Sequence, residues 1–254
     1  MTIALVHGVP ETSAIWGQLL DALHRRGLDD VVALSPPGFG APLPEDWEPT
    51  MGQYTAWLVR ELESLGGGVD VLGHDWGAAH VMGALAARPD LVRSWAVDVA
   101  GLVHPDYEWH DTAQSWQTPE VGEQVIAAMT TGTPDERAQF FASLGFDEST
   151  SLALGHGVDQ AMGAAILTLY RSAVQPAMSD LGARLFAADR LPPGLVIDAL
   201  DDPYAHTGLG SDVAGRLGAS RIELDGGGHW WMSHATSVEQ LADALAVHWA
   251  PAPT

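Results

Sequence analysis

Six short, mostly apolar runs punctuate the chain: Ile3–Val6, Val31–Leu34, Val69–Leu72, Ser94–Val99, Leu195–Ala199 and Arg221–Leu224. Continuous apolar runs of this length read as strands buried on both faces, because a strand with one wet face would alternate. Helical patterns separate most of them, over Ala14–Arg26, Met51–Leu65, Trp76–Ala87, Val238–Trp249 and, more weakly, Gly208–Leu217. Strand alternating with helix predicts βαβ units, and so a parallel sheet covered on both faces. The alternation breaks once. Residues 104–190 carry no strand pattern, only helical segments punctuated by Pro105, Pro119, Pro134 and Pro176. Leu191-Pro192-Pro193-Gly194 then leads back into a strand. The expected organisation is an α/β core from residues 1–103 and 191–254, with a helical cap from 104–190.

Composition narrows the chemistry. The 254 residues suit one large domain or a core with an inserted lid, and 46% hydrophobic content can fill a substantial core. The net charge of −22, from 33 acids against 11 bases, argues against nucleic acid and anionic membrane surfaces, which need basic patches. With no Cys there is no disulfide, thiolate nucleophile or Cys-based metal site. All 11 bases are Arg, so a Schiff base, a P-loop Lys and a Ser-Lys dyad are excluded as well. No His pair has clear metal-ligand spacing, and neither metal nor cofactor is expected. Met1-Thr2-Ile3-Ala4-Leu5-Val6 lacks the length and charge of a signal peptide, and no apolar stretch approaches the roughly 20 residues of a membrane span. A cytoplasmic protein is the expectation.

The chemistry concentrates at Gly73-His74-Asp75-Trp76-Gly77. A strand run precedes it and a small-residue helix follows, which is the setting of a nucleophile elbow. Glycines two residues before and after the centre let the backbone turn sharply without a side-chain clash. The centre is Asp, not Ser, and no G-x-S-x-G occurs in the chain. An Asp nucleophile attacks an alkyl carbon and forms an alkyl ester, which favours epoxides and carbon–halogen bonds over esters.

That ester must be opened by water, and the water needs a base. His229 follows the last strand in Asp225-Gly226-Gly227-Gly228-His229-Trp230-Trp231, where a glycine loop can carry an imidazole over the sheet edge. The base needs an acid to set its tautomer. Asp202, directly after the strand Leu195–Ala199, is the first candidate, and Asp98, at the end of the preceding core strand, is its rival. The amides of Trp76 and of Val9, in His7-Gly8-Val9-Pro10, are candidate oxyanion donors.

These segments resemble α/β-hydrolase-fold enzymes of the epoxide hydrolase and haloalkane dehalogenase group, and epoxide hydrolases most. Leu5-Val6-His7-Gly8-Val9-Pro10-Glu11 resembles the H-G-x-P oxyanion loop, where the bond before proline is typically cis. Pro36-Pro37-Gly38-Phe39-Gly40 resembles the segment after the next strand. Gly73-His74-Asp75-Trp76-Gly77-Ala78 resembles the elbow, Ala199-Leu200-Asp201-Asp202 the acid loop and Gly228-His229-Trp230 the histidine loop. The family's first two strands have no counterpart, so the resemblance implies a mostly parallel sheet of about six strands. It also implies cap tyrosines that protonate an opening epoxide. Leu169-Tyr170-Arg171 resembles the W-Y-R segment and nominates Tyr170. No Tyr stands at the second position, where Tyr107, Trp109, His110 or Trp116 are the candidate donors. Trp109, Thr112 and Trp116 are spaced to share a helix face.

The resulting expectation is an epoxide hydrolase in which Asp75 forms the alkyl ester and His229, with its acid, hydrolyses it. Haloalkane dehalogenation with the same nucleophile and base is the alternative, and a non-catalytic ligand-binding protein of the same fold stands third. Ten Trp, five of them near the expected site, suit a small hydrophobic substrate, aromatic or polycyclic. The sheet edge left open by the missing strands has to be covered or paired, and a homodimer is one way to do so.

Overall fold

In the computed structural model, which describes residues 2–250, every apolar run becomes a strand within one residue of where the pattern placed it, except the fourth, which is shifted at both ends. The strands are β1 (Ile3–Val6), β2 (Val31–Leu34), β3 (Val69–Gly73), β4 (Val92–Val97), β5 (Gly194–Ala199) and β6 (Ser220–Leu224). They form one sheet in the order β2-β1-β3-β4-β5-β6, with every pairing parallel. β1, β3 and β5 are buried throughout, as strands covered on both faces must be.

β4 corrects the expected Ser94–Val99 by starting and ending two residues earlier. Val99 takes a left-handed backbone with φ of 42°, which no strand tolerates, and the Asp98 carboxylate is held by the neighbouring elbow. At its start β4 gains Arg93, which ion-pairs with the buried Asp70 of β3.

The helices are α1 (Gly17–His24), α2 (Met51–Ser64), α3 (Trp76–Ala87), α4 (Asp111–Gln117), α5 (Val121–Thr130), α6 (Pro134–Ser143), α7 (Glu148–Gly157), α8 (Gln160–Ser172), α9 (Ala177–Phe186), α10 (Thr207–Leu217) and α11 (Ala235–His248). The expected helix Ala14–Arg26 is two pieces, a 3₁₀ turn over Ser13–Trp16 capped by Thr12 and then α1. α3 is buried on every side from Trp76 to Leu85, which its Gly and Ala content permits, since a bulky helix could not be enclosed so closely. A Cβ on Gly83 would lie 2.2 Å from Thr55 Oγ1 of α2.

Helices α4 to α9 fall between β4 and β5. Their starts are written locally: Thr133 and Glu136 form a reciprocal capping box with Pro134 in the first turn, and Asp147 and Asp159 cap α7 and α8. This segment rests on the core through α8 against α2, α9 against α3, and α7 against the Ser13–Trp16 turn. Among the described residues no helix is long and apolar enough to cross a membrane.

Candidate active site

The parallel register brings the ends of three strands into one row, with Val6 beside Gly73 and Gly73 beside Val97. The loops leaving those ends therefore meet at the carboxyl edge of the sheet, where open α/β sheets build sites. Asp75 sits there with φ of 52° and ψ of −121°, a conformation few non-glycine residues adopt. Its neighbours explain how the strain is held. A Cβ on Gly77 would lie 2.0 Å from Val6 O, one on Gly73 2.6 Å from Gly77 O, and one on Gly8 2.2 Å from Asp75 Oδ2. Those three glycines let the elbow press against the loop after β1.

The two carboxylate oxygens of Asp75 have different surroundings. Oδ2 accepts the Val9 N–H at 3.0 Å, on the loop where the Val9–Pro10 bond is cis. The Trp76 amide opens α3 and so has no helical acceptor of its own. Oδ1 lies 3.7 Å from His229 Nε2, and Asp75 lines the cavity. Burial pushes the Asp75 carboxyl up to about 6, against the pull of His229 and His74.

His229 lies at the start of a 3₁₀ stretch after β6, preceded by three glycines with positive φ. Its Nδ1 faces Asp202 Oδ2 at 2.8 Å. The other Asp202 oxygen accepts the amides of Tyr204 (2.7 Å) and Ala205 (3.2 Å), which fixes the carboxylate as an Asx turn. Burial would lower the His229 pKa, but the hydrogen bond and the charge of Asp202, with help from the Asp75 charge, together outweigh it and raise it. For Asp202, burial raises, and the bond to His229, the His229 charge and the Tyr204 amide together outweigh it, so its carboxyl falls below the usual range. The pair leaves Nε2 as the nitrogen facing Asp75.

Asp98 does not reach His229, which corrects its standing as a rival acid. One oxygen accepts the Asp75 N–H at 2.9 Å; the other faces His74 Nδ1 and accepts the Trp231 indole N–H at 2.8 Å. His74 Nε2 in turn lies 3.3 Å from Glu11, which also accepts the Trp230 indole N–H. Glu11 and His74 are fully buried and Asp98 nearly so. Burial alone would lower the His74 pKa; Asp98 and Glu11 outweigh it and hold the pKa well above the usual value. Glu11 goes down to about 2, because His74 outweighs its desolvation. The elbow thus stands on a carboxylate–imidazolium–carboxylate stack. Glu11, His74 and His229 place ligand atoms within 4.8 Å of one another. Both His74 nitrogens already face carboxylates, however, and an imidazolium has no lone pair for a metal.

The helical segment supplies the opposite wall. Tyr170 of α8 is packed among Trp76, Trp109 and Trp116, at ring distances of 5.1, 5.4 and 4.8 Å. Burial, then the Asp75 charge, drives its phenol pKa well up. A cavity of about 420 Å³ lies between this wall and the sheet edge, lined by Asp75, His229, Tyr170, Tyr204 and apolar side chains that include Val125 and Phe141. A second, much smaller cavity continues past Asp75 between Trp76, Trp109 and Tyr107.

The four candidate partners of Tyr170 separate. Trp109 does not share the helix face expected of Trp109, Thr112 and Trp116. The His110 side chain caps α4, accepting the Ala113 N–H at 3.3 Å, so Trp109 precedes the helix. Trp109 and Tyr107 line the small cavity, Trp116 the large one and His110 both. Burial lowers the His110 pKa to about 4, leaving it neutral. The indole N–H groups of Trp109 and Trp116 are buried and without a partner among the described residues.

Sequence reasoning missed Tyr204, whose ring lies 5.1 Å from that of His229 and lines both cavities. Its position two residues past Asp202 was the available signal. It also gave Glu11 and His74 no role, since their pairing depends on β1 lying beside β3.

Comparison with known proteins bears on the fold. The model of the family described as "Alpha/beta hydrolase family" matches residues 3–244. No curated protein matches the chain. Among solved structures, haloalkane dehalogenase DbeA from Bradyrhizobium elkanii superposes with a TM-score of 0.73 at 22% identity, covering 97% of this chain and 90% of that one. The reconstructed ancestral haloalkane dehalogenase AncHLD2 gives 0.74 at 20%, covering 98% and 92%. N-formylmaleamic acid deformylase from Pseudomonas putida S16 gives 0.73 at 17%, covering 93% and 90%. At such identities the likeness is one of fold.

Proposed function

This chain belongs to the alpha/beta hydrolase family, and from that premise we propose that it opens an epoxide to a diol through an alkyl ester on Asp75. The observation that carries the reading is the unequal treatment of the Asp75 oxygens. Oδ2 is already held by the Val9 amide, while Oδ1 lies near His229 Nε2. Attack by Oδ1 on an epoxide carbon breaks the ring C–O bond, and the oxygen takes the Tyr170 proton. The resulting ester has Oδ2 as its carbonyl oxygen, already in the oxyanion site. Water gives a proton to His229 Nε2 and its oxygen attacks the ester carbon. Charge gathers on Oδ2, where the Val9 and Trp76 amides stabilise it. Collapse expels the former Oδ1 as the diol's second oxygen, which takes the imidazolium proton, and the proton left on the new Asp75 carboxyl returns to the Tyr170 phenolate. A serine nucleophile would offer no such prearranged carbonyl oxygen.

Tyr170 supports the epoxide over other leaving groups. Tyr170 lines the cavity with Asp75 and its buried phenol keeps its proton, so a donor stands ready for the alkoxide as alkylation neutralises the Asp75 charge. A second reading, dehalogenation, has its own observation: the Trp109 indole N–H is buried without a partner beside Trp76, with the two rings stacked at 5.9 Å. Such donors stabilise a departing halide. The dehalogenase names among the structural neighbours agree with this reading, at identities that carry fold alone.

Intact mass of His229→Gln after incubation with styrene oxide, and separately with 1-bromobutane, tests both. Without the base the ester accumulates. An adduct with the epoxide that is absent in Asp75→Ala supports the epoxide reading. An adduct with the bromide, with bromide released, moves the function to dehalogenation. No adduct from either, or from a larger aromatic epoxide, would falsify Asp75 as the nucleophile.

A further inference from the structure

In a chain with three acids for every base, an arginine without an acid partner is unusual. Seven of the eleven arginines ion-pair with carboxylates. Arg60, Arg184 and Arg190 are exposed to solvent, where a cation needs no partner. Arg137 is the exception: it is half-buried, and no carboxylate among the described residues ion-pairs with it.

Arg137 lies on the wall of the large cavity, on α6, with Phe140 and Phe141 one turn later on the same face. Its guanidinium is anchored on one side only. Nε donates to Gly155 O at 3.1 Å, and Nη1 to Gly132 O at 2.8 Å and Thr130 O at 3.4 Å. Those carbonyls lie at the ends of α7 and α5, where helix dipoles favour a cation. Nη2 makes no hydrogen bond among the described residues. The wall around it is apolar, with Val125, Met129 and Val158. The Nη2 edge is not sealed from solvent, so an incoming carboxylate can take the place of water on it.

The polar groups of the cavity are thus divided. Asp75, His229 and Tyr204 come from the sheet edge; the helical segment adds Tyr170, His110 and Thr112, and Arg137 as its one arginine in the lining, beside Val125, Met129 and Val158. We propose that Arg137 binds the carboxylate of an amphipathic substrate whose reacting carbon, remote from that carboxylate, reaches Asp75. The proposal rests on the reading of Asp75 as nucleophile and names the class of molecule it attacks. A carboxylate next to the reacting carbon would instead meet Asp75 itself, with Trp76, Ala78 and Ala79 following it and no cation to hold it. The apolar middle of the cavity takes an alkyl or aryl body, and the guanidinium sets which end enters.

The test separates binding from chemistry. Octanoate and octanamide match in length and shape, differ in charge and do not react with Asp75. Titrated calorimetrically into the wild-type protein at neutral pH, octanoate is expected to bind at least ~10-fold more tightly. Arg137→Gln is expected to abolish the preference while keeping octanamide affinity, and Arg137→Lys to restore part of it. Equal affinity of wild type for the two probes, or binding of neither, overturns the proposal. So does an equal loss of both in Arg137→Gln, which would make Arg137 only a brace between α5 and α7. If Arg137→Gln fails to fold, the wild-type preference and Arg137→Lys decide alone. The probes need no turnover, so an inert Asp75 would appear in the adduct experiment and leave this result standing.

Discussion

The two walls of the cavity are built on opposite principles. At the sheet edge the charged side chains are paired with one another or with backbone, Asp75 with Val9, His229 with Asp202, and His74 between Asp98 and Glu11, and Glu11 Oε2 is the atom of this network left without a partner among the described residues. On the helical side the polar atoms are left over, in the indole N–H groups of Trp109 and Trp116 and in one edge of the Arg137 guanidinium. A closely paired network has few arrangements and suits chemistry that must be preorganised. Unpartnered donors in an apolar wall are stable only if something else completes them. On the proposed mechanism, the contrast places the nucleophile and base at the sheet edge and the groups that select leaving group and substrate in the helices.

The harshest way to break the contrast is to remove the one charge that faces both walls. Asp75→Asn is expected to lower turnover of styrene oxide by at least ~10⁴-fold, followed as diol by chromatography. The same change should stabilise the fold at neutral pH. The folded Asp75 carboxyl sits near 6, above its unfolded value, so the native state binds the extra proton between about pH 4 and 6. Stability from this group is complete below that window and lost as pH rises through it. Urea midpoints of wild type should therefore fall across the window relative to Asp75→Asn, and parallel curves would refute the raised pKa. Turnover, which needs the carboxylate, should fall as pH drops below about 6.

Two isosteric changes on the sheet side sharpen the comparison next. Asp202→Asn should cost roughly 10²- to 10⁴-fold in turnover with little change in urea midpoint, because it disturbs the His229 tautomer. Asp98→Asn should do the reverse in emphasis, costing about 3 kcal/mol of stability. Its carboxylate faces His74 and accepts the Asp75 amide and the Trp231 indole while shielded from water. If Asp98→Asn proved the more damaging to turnover at equal stability, the assignment of the acid would pass to it.

The sequence carried the sheet side well for a physical reason. Strand ends are marked by where apolar runs stop, and a parallel sheet delivers all its strand ends to one edge. Asp75, Asp202 and His229 each follow such an end, so their convergence needs no side-chain detail. Asp98 was ambiguous because it follows a strand end as well, and only the left-handed Val99 and the β3–β4 register turn it behind the elbow. The helical side was opaque. Helical periodicity tells which face of a helix is apolar but not which helix it meets, so Arg137 reads as one more surface base. Trp109 read as part of α4 because the capping role of His110 was not seen.

The mildest change discriminates between the two leaving groups. Tyr170→Phe should reduce turnover of styrene oxide by ~10²-fold and alter that of 1-bromobutane by less than about threefold, since a halide needs no proton. Equal losses on both substrates would mean that the phenol only packs against Trp76.

The interruption between β4 and β5 also orders events during synthesis. The ribosome releases the elbow that carries Asp75 well before the loops that carry Asp202 and His229, with helices α3 to α9 made in between. At ordinary elongation rates that interval is on the order of ten seconds. Throughout it the nascent chain holds a carboxylate with no base to turn it over. On the proposed mechanism an encounter with a reactive electrophile at that stage would end in a stranded ester, so β6, the last strand to be made, is also the one whose following loop makes the nucleophile reusable.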